Sequence, residues 1–153
     1  MDASIELLPN PAAERGHSRA VRVSADLLRA SYRSEAFPAD WSELRRRESL
    51  ERYLKWLGLK VLYPARRLAP TRDIDLFWQL HMLHPVAYHR DCLANFGRLF
   101  DHDGTFGKGP GEAAALREVF LATGTLYEAT YGEPYGENGR SVGALAAADT
   151  WHA

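Results

Sequence analysis

Residues 72–97 read RDIDLFWQLHMLHPVAYHRDCLANFG, and the position of Pro85 within them decides the fold. Proline inside a helix removes a backbone hydrogen bond and crowds the preceding turn, and it disfavours helical geometry at the residue before it, here His84. At the first turn of a helix the same ring sits well, because its missing N–H would have no intrahelical partner there. The stretch therefore predicts helix, tight turn, helix. The first helix, 72–83, follows Thr71 as cap and carries Asp73 and Asp75 in its opening turns, where carboxylates interact favourably with the exposed amides. The second runs over 85–96, with Gly97 supplying the left-handed closing residue.

Working outward, Ser24 is read as the N-cap of a short helix through Leu27, Leu28 and Tyr32 that stops before Pro38. Asp40 with Glu43 resembles a capping box, and Leu50, Tyr53, Leu54 and Leu57 recur at helical spacing before Gly58, predicting a helix over 41–57. Consecutive Arg45, Arg46 and Arg47 spread around that helix among Glu43, Glu48 and Glu51, the pattern of a solvated face with intrahelical ion pairs. Residues 58–71, GLKVLYPARRLAPT, hold two prolines and a short β-prone run and are read as an extended connector. Glycines make 101–111 a loop. Leu116, Val119, Phe120, Thr123, Leu126 and Tyr127 then keep a helical stripe over 112–131, despite Gly124. The expected architecture is all-α: a single compact helical domain over 21–136 around the hairpin at 72–97, with at most a marginal pair of short strands. Residues 1–20 are expected to be irregular, and the Ala- and Gly-rich tail 137–153 flexible or ordered only against a partner.

A chain of 153 residues suits one domain and buries about two thirds of the surface its unfolded form exposes. Its 19 basic residues balance 20 acidic ones, so the overall charge draws it to neither nucleic acid nor an anionic membrane. The N-terminus lacks an apolar run of signal-peptide length, and no stretch reaches the ~20 apolar residues that span a bilayer. A single cysteine cannot form an internal disulfide, which fits a reducing compartment; a soluble, cytoplasmic protein is expected.

The chemistry concentrates in the same hairpin, which holds His81, His84, His89 and Cys92. On a helix, residues two apart point roughly 200° apart, so Gln79 and His81 serve different faces. His81 shares its face with Ile74, Phe77 and Trp78. Gln79 shares one with Arg72 and Asp75, and Asp75–Gln79 reads as a local i,i+4 pair. Folding back of the second helix brings His81 near Tyr88, Asp91 or Cys92. Histidine and carboxylate ligands suit a divalent transition metal such as zinc, iron or copper. The candidate site therefore has His81 and Asp91 as acid–base groups and His81, Asp75, Cys92 and His102 as metal ligands. The competing reading has His81 as a buried imidazole bonded to a carbonyl or carboxylate, Cys92 as a small buried hydrophobe and His89 in solvent. The loop GTFGKG lacks phosphate-loop spacing, Asp101, Asp103 and Gly104 lack the rest of a calcium loop, and no G-x-S-x-G points to a serine hydrolase.

The stretch APTRDIDLFWQLHMLHPVAYHRDCLANFGRLFDHD, residues 69–103, followed by LREVFLATGTLYEATYGEPYG, residues 116–136, resembles the bacterial proteins named glycine-rich domain-containing protein-like. The resemblance rests on Asp73, Asp75, Trp78, His81, Tyr88, Asp91, Cys92, Phe96, Gly97 and His102. The departure is Gln79, where the family carries the first histidine of a His-x-His, so an activity needing that imidazole is not implied here. Two function classes follow. One is a small metal- or ligand-binding protein, extending to a metal-dependent enzyme on a small molecule, centred on His81. The other is a non-catalytic interaction module in which Trp78, Tyr88, Trp151 and the tail meet a protein partner.

Overall fold

A computed structural model describes residues 21–148; the expectations for 1–20 and for Trp151 fall outside them. The elements are α1 (Leu27–Ser31), α2 (Glu43–Leu62), α3 (Arg72–Met82), α4 (Pro85–Phe96), α5 (Glu112–Tyr131), a 3-10 turn (Glu137–Gly139) and α6 (Val142–Ala147). No strand occurs among the described residues, and the all-α class expected from sequence holds. The chain divides into two compact units: the described residues of Met1–Arg66 with Asp73–Phe100, and those of Arg67–Arg72 with Asp101–Ala153.

In the first unit the hairpin has its expected form. α4 begins at Pro85 and closes on Gly97 at φ 73°, a left-handed position that costs glycine nothing. His84 makes no capping bond; its Nδ1–H donates to the Leu80 carbonyl at 2.9 Å instead. Two caps differ from expectation. Asp26, rather than Ser24, accepts from the first turn of α1, and Ser42, rather than Asp40, accepts from Arg45 N–H to start α2. α2 also continues through Gly58 to Leu62, so the connector is shorter than 58–71. The gain is burial of Leu59 at 0% exposure, which outweighs the ~1 kcal/mol helix cost of one glycine, and Pro64 then stops the helix.

The buried side of α2 carries Arg46, Ser49, Tyr53, Trp56, Leu57 and Leu59. Opposing it in the core are Leu27, Phe37 and Trp41, with Ile74, Phe77, Trp78 and Leu80 from α3 and Tyr88 and Cys92 from α4. Trp56 lies 4.8 Å from Trp78 and 5.5 Å from Phe100 between ring centroids. Each fully buried aromatic or aliphatic side chain here stabilises by about 1.5–3 kcal/mol.

Arg46 is the clearest departure from the solvated-face reading. It continues the Ser49, Tyr53, Trp56 stripe inward and is 4% exposed. Its guanidinium donates to the carbonyls of Ser31 at 2.8 Å, Trp41 at 3.2 Å and Pro38 at 3.2 Å, and lies 4.4 Å from the Tyr32 ring centroid. The planar fork gathers three carbonyls of the 31–41 segment, of which Pro38's also accepts from the Trp41 N–H, and fastens that segment to α2. Arg47, by contrast, is the expected exposed i,i+4 partner of Glu43 at 3.5 Å.

In the second unit, α5 buries Thr123, Gly124 and Tyr127. Thr123 Oγ1 accepts from Ala69 N–H at 3.0 Å, and the Tyr135 hydroxyl donates to the Ala69 carbonyl at 2.5 Å, so segment 67–72 is held through its backbone. A Cβ on Gly124 would sit 2.9 Å from Val142 Cγ2 and 3.0 Å from Tyr135 Cδ2. Glycine in mid-helix is there to admit α6. Glu128 accepts from the Tyr135 and Val142 amides, securing the same corner.

Removing the carbonyl gatherer has a defined consequence. Arg46→Met is expected to destabilise the fold by ~3 kcal/mol, because buried carbonyls lose a charged donor, while Arg47→Ala stays within ~0.5 kcal/mol of wild type. Urea unfolding followed by far-ultraviolet circular dichroism checks both.

Candidate functional site

Three helices of the first unit converge on His81, which is 1% exposed. Its Nε2 lies 2.8 Å from Asp91 Oδ2 on α4 and its Nδ1 lies 2.8 Å from the Tyr53 hydroxyl on α2. Asp91 Oδ2 also accepts from the Ser24 amide at 2.9 Å, tying in the segment before α1. An ionised carboxylate can only accept, which puts the imidazole proton on Nε2 and leaves Nδ1 to accept from Tyr53. The result is a chain of bonds running one way: Tyr53 O–H to His81, His81 N–H to Asp91.

Electrostatics agree with this assignment. Burial lowers the His81 pKa from its ordinary value, outweighing the hydrogen bond and negative charge of Asp91, which pull it up. Burial likewise holds the Tyr53 hydroxyl well above its ordinary value, with smaller contributions from Tyr88, Cys92 and Asp91. A neutral imidazole and a protonated phenol satisfy every bond in the chain. An imidazolium would need a second acceptor, and Tyr53 could serve only by redirecting its own proton.

A second chain packs beside the first. Trp78 Nε1–H donates to the Tyr88 hydroxyl at 2.9 Å, and that hydroxyl donates in a short bond to the Phe100 carbonyl. The Tyr88 ring stands edge-on to His81 with centroids 4.9 Å apart.

The residues expected from sequence fall into separate places. His81, Asp91 and Tyr88 come together, as the hairpin geometry implied. Asp75 does not join them: it accepts from Gln79 Nε2 at 2.6 Å, the expected local pair. Asp73, read as a charge at the helix start, is 4% exposed and ion-paired to Arg52 at 2.8 Å. Cys92 is 1% exposed, and burial pushes its thiol up from the ordinary value, the behaviour of a packed hydrophobe. His102 belongs to the second unit. Among the described residues no group of three or more His, Cys, Asp and Glu side chains could hold a metal ion. The donors do not fit one either, since both His81 nitrogens are engaged, by Tyr53 and by Asp91. Trp78 and Tyr88 are 4% and 6% exposed, so they do not form the partner surface expected of them. Tyr53 and Ser24 were missed as members of the site. They lie 28 and 67 residues from their partners, and no local pattern marks them.

The family described as Glycine-rich domain-containing protein-like matches residues 10–91, more than half of the chain. The chain belongs to this family. The match takes in Asp73, Asp75, Trp78, His81, Tyr88 and Asp91 and ends before Cys92, Phe96, Gly97 and His102, which had also carried the resemblance. Glycine-rich domain-containing protein 1 of Arabidopsis thaliana is 33% identical over 102 residues, covering 64% of this chain and 12% of that protein. Glycine-rich domain-containing protein 2 of the same plant is 34% identical over 70 residues, covering 46% of this chain and 9% of that protein. These relatives are plant proteins, and nothing in the match restricts the chain to bacteria. The chain thus spans about an eighth or less of the curated relatives it matches. No solved structure matches. No helix among the described residues is long and apolar enough to cross a membrane.

Because burial disfavours the imidazolium more in the fold than in the unfolded chain, the unfolded chain takes up the proton first as pH falls. The His81 contribution is therefore complete above its ordinary value of 6.5 and is lost as pH drops below it. His81→Gln, which can donate to Asp91 and accept from Tyr53 without titrating, is expected to flatten the fall in unfolding free energy between about pH 7 and 5. Urea midpoints of wild type and variant across that range measure the difference; parallel curves would contradict it.

Proposed function

We propose that this chain is a non-catalytic interaction module, and that the Tyr53–His81–Asp91 chain is the polar cluster that sets its helix packing. The observation that carries this reading is that both His81 nitrogens are bonded within the protein while the ring is 1% exposed. General acid–base chemistry needs its group within hydrogen-bond reach of a substrate proton, directly or through one water. A sealed imidazole between a phenol and a carboxylate has the order of a relay and no entrance for a reactant. The small share of the relatives that the chain covers, 12% and 9%, supports a module that works within or beside other segments.

The reading separates cleanly from a metal-dependent one. Elemental analysis of untagged wild type should find no stoichiometric transition metal. His81→Ala should lower stability by about 1–3 kcal/mol, since it strands the Tyr53 and Asp91 partners and leaves a cavity. Stoichiometric metal that disappears in His81→Ala, with stability unchanged, would overturn the proposal.

A further inference from the structure

The largest apolar side chains on the surface are not scattered. Among the described residues the exposed large hydrophobics are Tyr32, Leu44, Leu83, Val86, Leu93 and Leu99, and four of these six fall between residues 83 and 99. Leu83 is 74% exposed and Val86 71%. Two of the four, Val86 and Leu93, line one depression on the surface with Pro85, and apolar side chains that share a patch mark an interaction surface more often than isolated ones do.

The charges of the same stretch are one-sided. His84, His89, Arg90 and Arg98 are exposed, whereas its only carboxylate, Asp91, is buried and committed to His81 and Ser24. On α4 the division follows helix geometry. Tyr88, Asp91 and Cys92 face the core, and Val86, Arg90 and Leu93, at i, i+4 and i+7, lie on the outer face. Pro85, Val86, His89, Arg90 and Leu93 line one shallow depression there.

Resting on the module reading above, we propose that the outer face of α4 docks an acidic amphipathic helix of a partner protein. Two features select this occupant. Val86 and Leu93 are about 10 Å apart along the axis at 1.5 Å per residue, the interval that two turns of a partner helix present on one side. The Arg90 guanidinium on the rim, beside the exposed His89 ring and with no exposed carboxylate in the stretch, complements acidic flanks and sets their register. An anionic membrane is the weaker match, because only Arg90 and Arg98 carry permanent charge, at about 1 kcal/mol each on such a surface. A concave apolar depression also suits a protruding side chain better than a lipid layer.

The test is a titration of the full chain, labelled with nitrogen-15, with two synthetic helical peptides. One carries Leu at i, i+4 and i+7 with Glu on its flanks, and the other has Lys in place of Glu. The Glu peptide is expected to give saturable amide shifts confined to about residues 83–94, weakening as salt rises. Val86→Glu and Arg90→Glu are each expected to weaken it on the order of tenfold while helical content and thermal midpoint stay at wild-type values, since both side chains are exposed. Absence of saturable shifts, equal binding of the Lys peptide, or shifts mapping elsewhere would overturn the assignment. So would binding to phosphatidylserine vesicles in place of the peptide, or a concentration-dependent dimer broken by Val86→Glu, which would give the face to a membrane or a second copy. A failed titration with metal-free wild type and a destabilised His81→Ala removes only the docking assignment; stoichiometric metal lost in His81→Ala removes the module reading itself.

Discussion

The hydrogen bonds on the two nitrogens of His81 fix the packing of the first unit, because each is satisfied by a different helix. Tyr53 comes from α2 and Asp91 from α4, with the imidazole on α3 between them, and the Ser24 amide adds the segment before α1. An apolar contact tolerates a shift of several tenths of an ångström, whereas a buried polar group left unpaired costs about 1–3 kcal/mol. A slide of any one helix would strand at least one buried donor or acceptor. The arrangement selects one packing among the many that an aromatic core would otherwise accept. Arg46 does the same for the 31–41 segment, with a cation bonded to carbonyls where most buried cations meet a carboxylate.

Much of this was legible in the sequence, because it depends on local rules. Pro85 and Gly97 bracket α4 by backbone geometry alone, and the face shared by Ile74, Phe77, Trp78 and His81 follows from helical spacing. Once the hairpin closes, Asp91 is within reach of His81. The Asp75–Gln79 pair, four residues apart on one helix, was equally accessible. What stayed hidden was long-range. Nothing in the sequence around Tyr53 says that its hydroxyl meets a ring 28 residues away, or that Arg52 pairs with Asp73. Arg46 was misread because three consecutive arginines suggest a solvated face, while its place in the Ser49–Tyr53–Trp56 stripe turns it inward. Gly124 reads as a flaw in a helix until Val142 is seen against it.

The same division separates stability from recognition. Residues that look chemical in the sequence, His81, Asp91 and Cys92, are spent on the interior. Residues that look bland, Leu83, Val86, Leu93 and their cationic neighbours, are left in solvent. A histidine-rich hairpin therefore belongs to a surface argument as much as to a catalytic one: α4 turns one side to the polar cluster and the other outward.

The directed chain from Tyr53 through His81 to Asp91 is open to direct observation by nitrogen-15 nuclear magnetic resonance of the imidazole at neutral pH. The expected result is a single neutral tautomer with the proton on Nε2, a bare Nδ1, and an Nε2–H that exchanges slowly with water. A proton on Nδ1, an imidazolium, or rapid averaging between tautomers with fast solvent exchange would contradict a sealed and fully bonded ring.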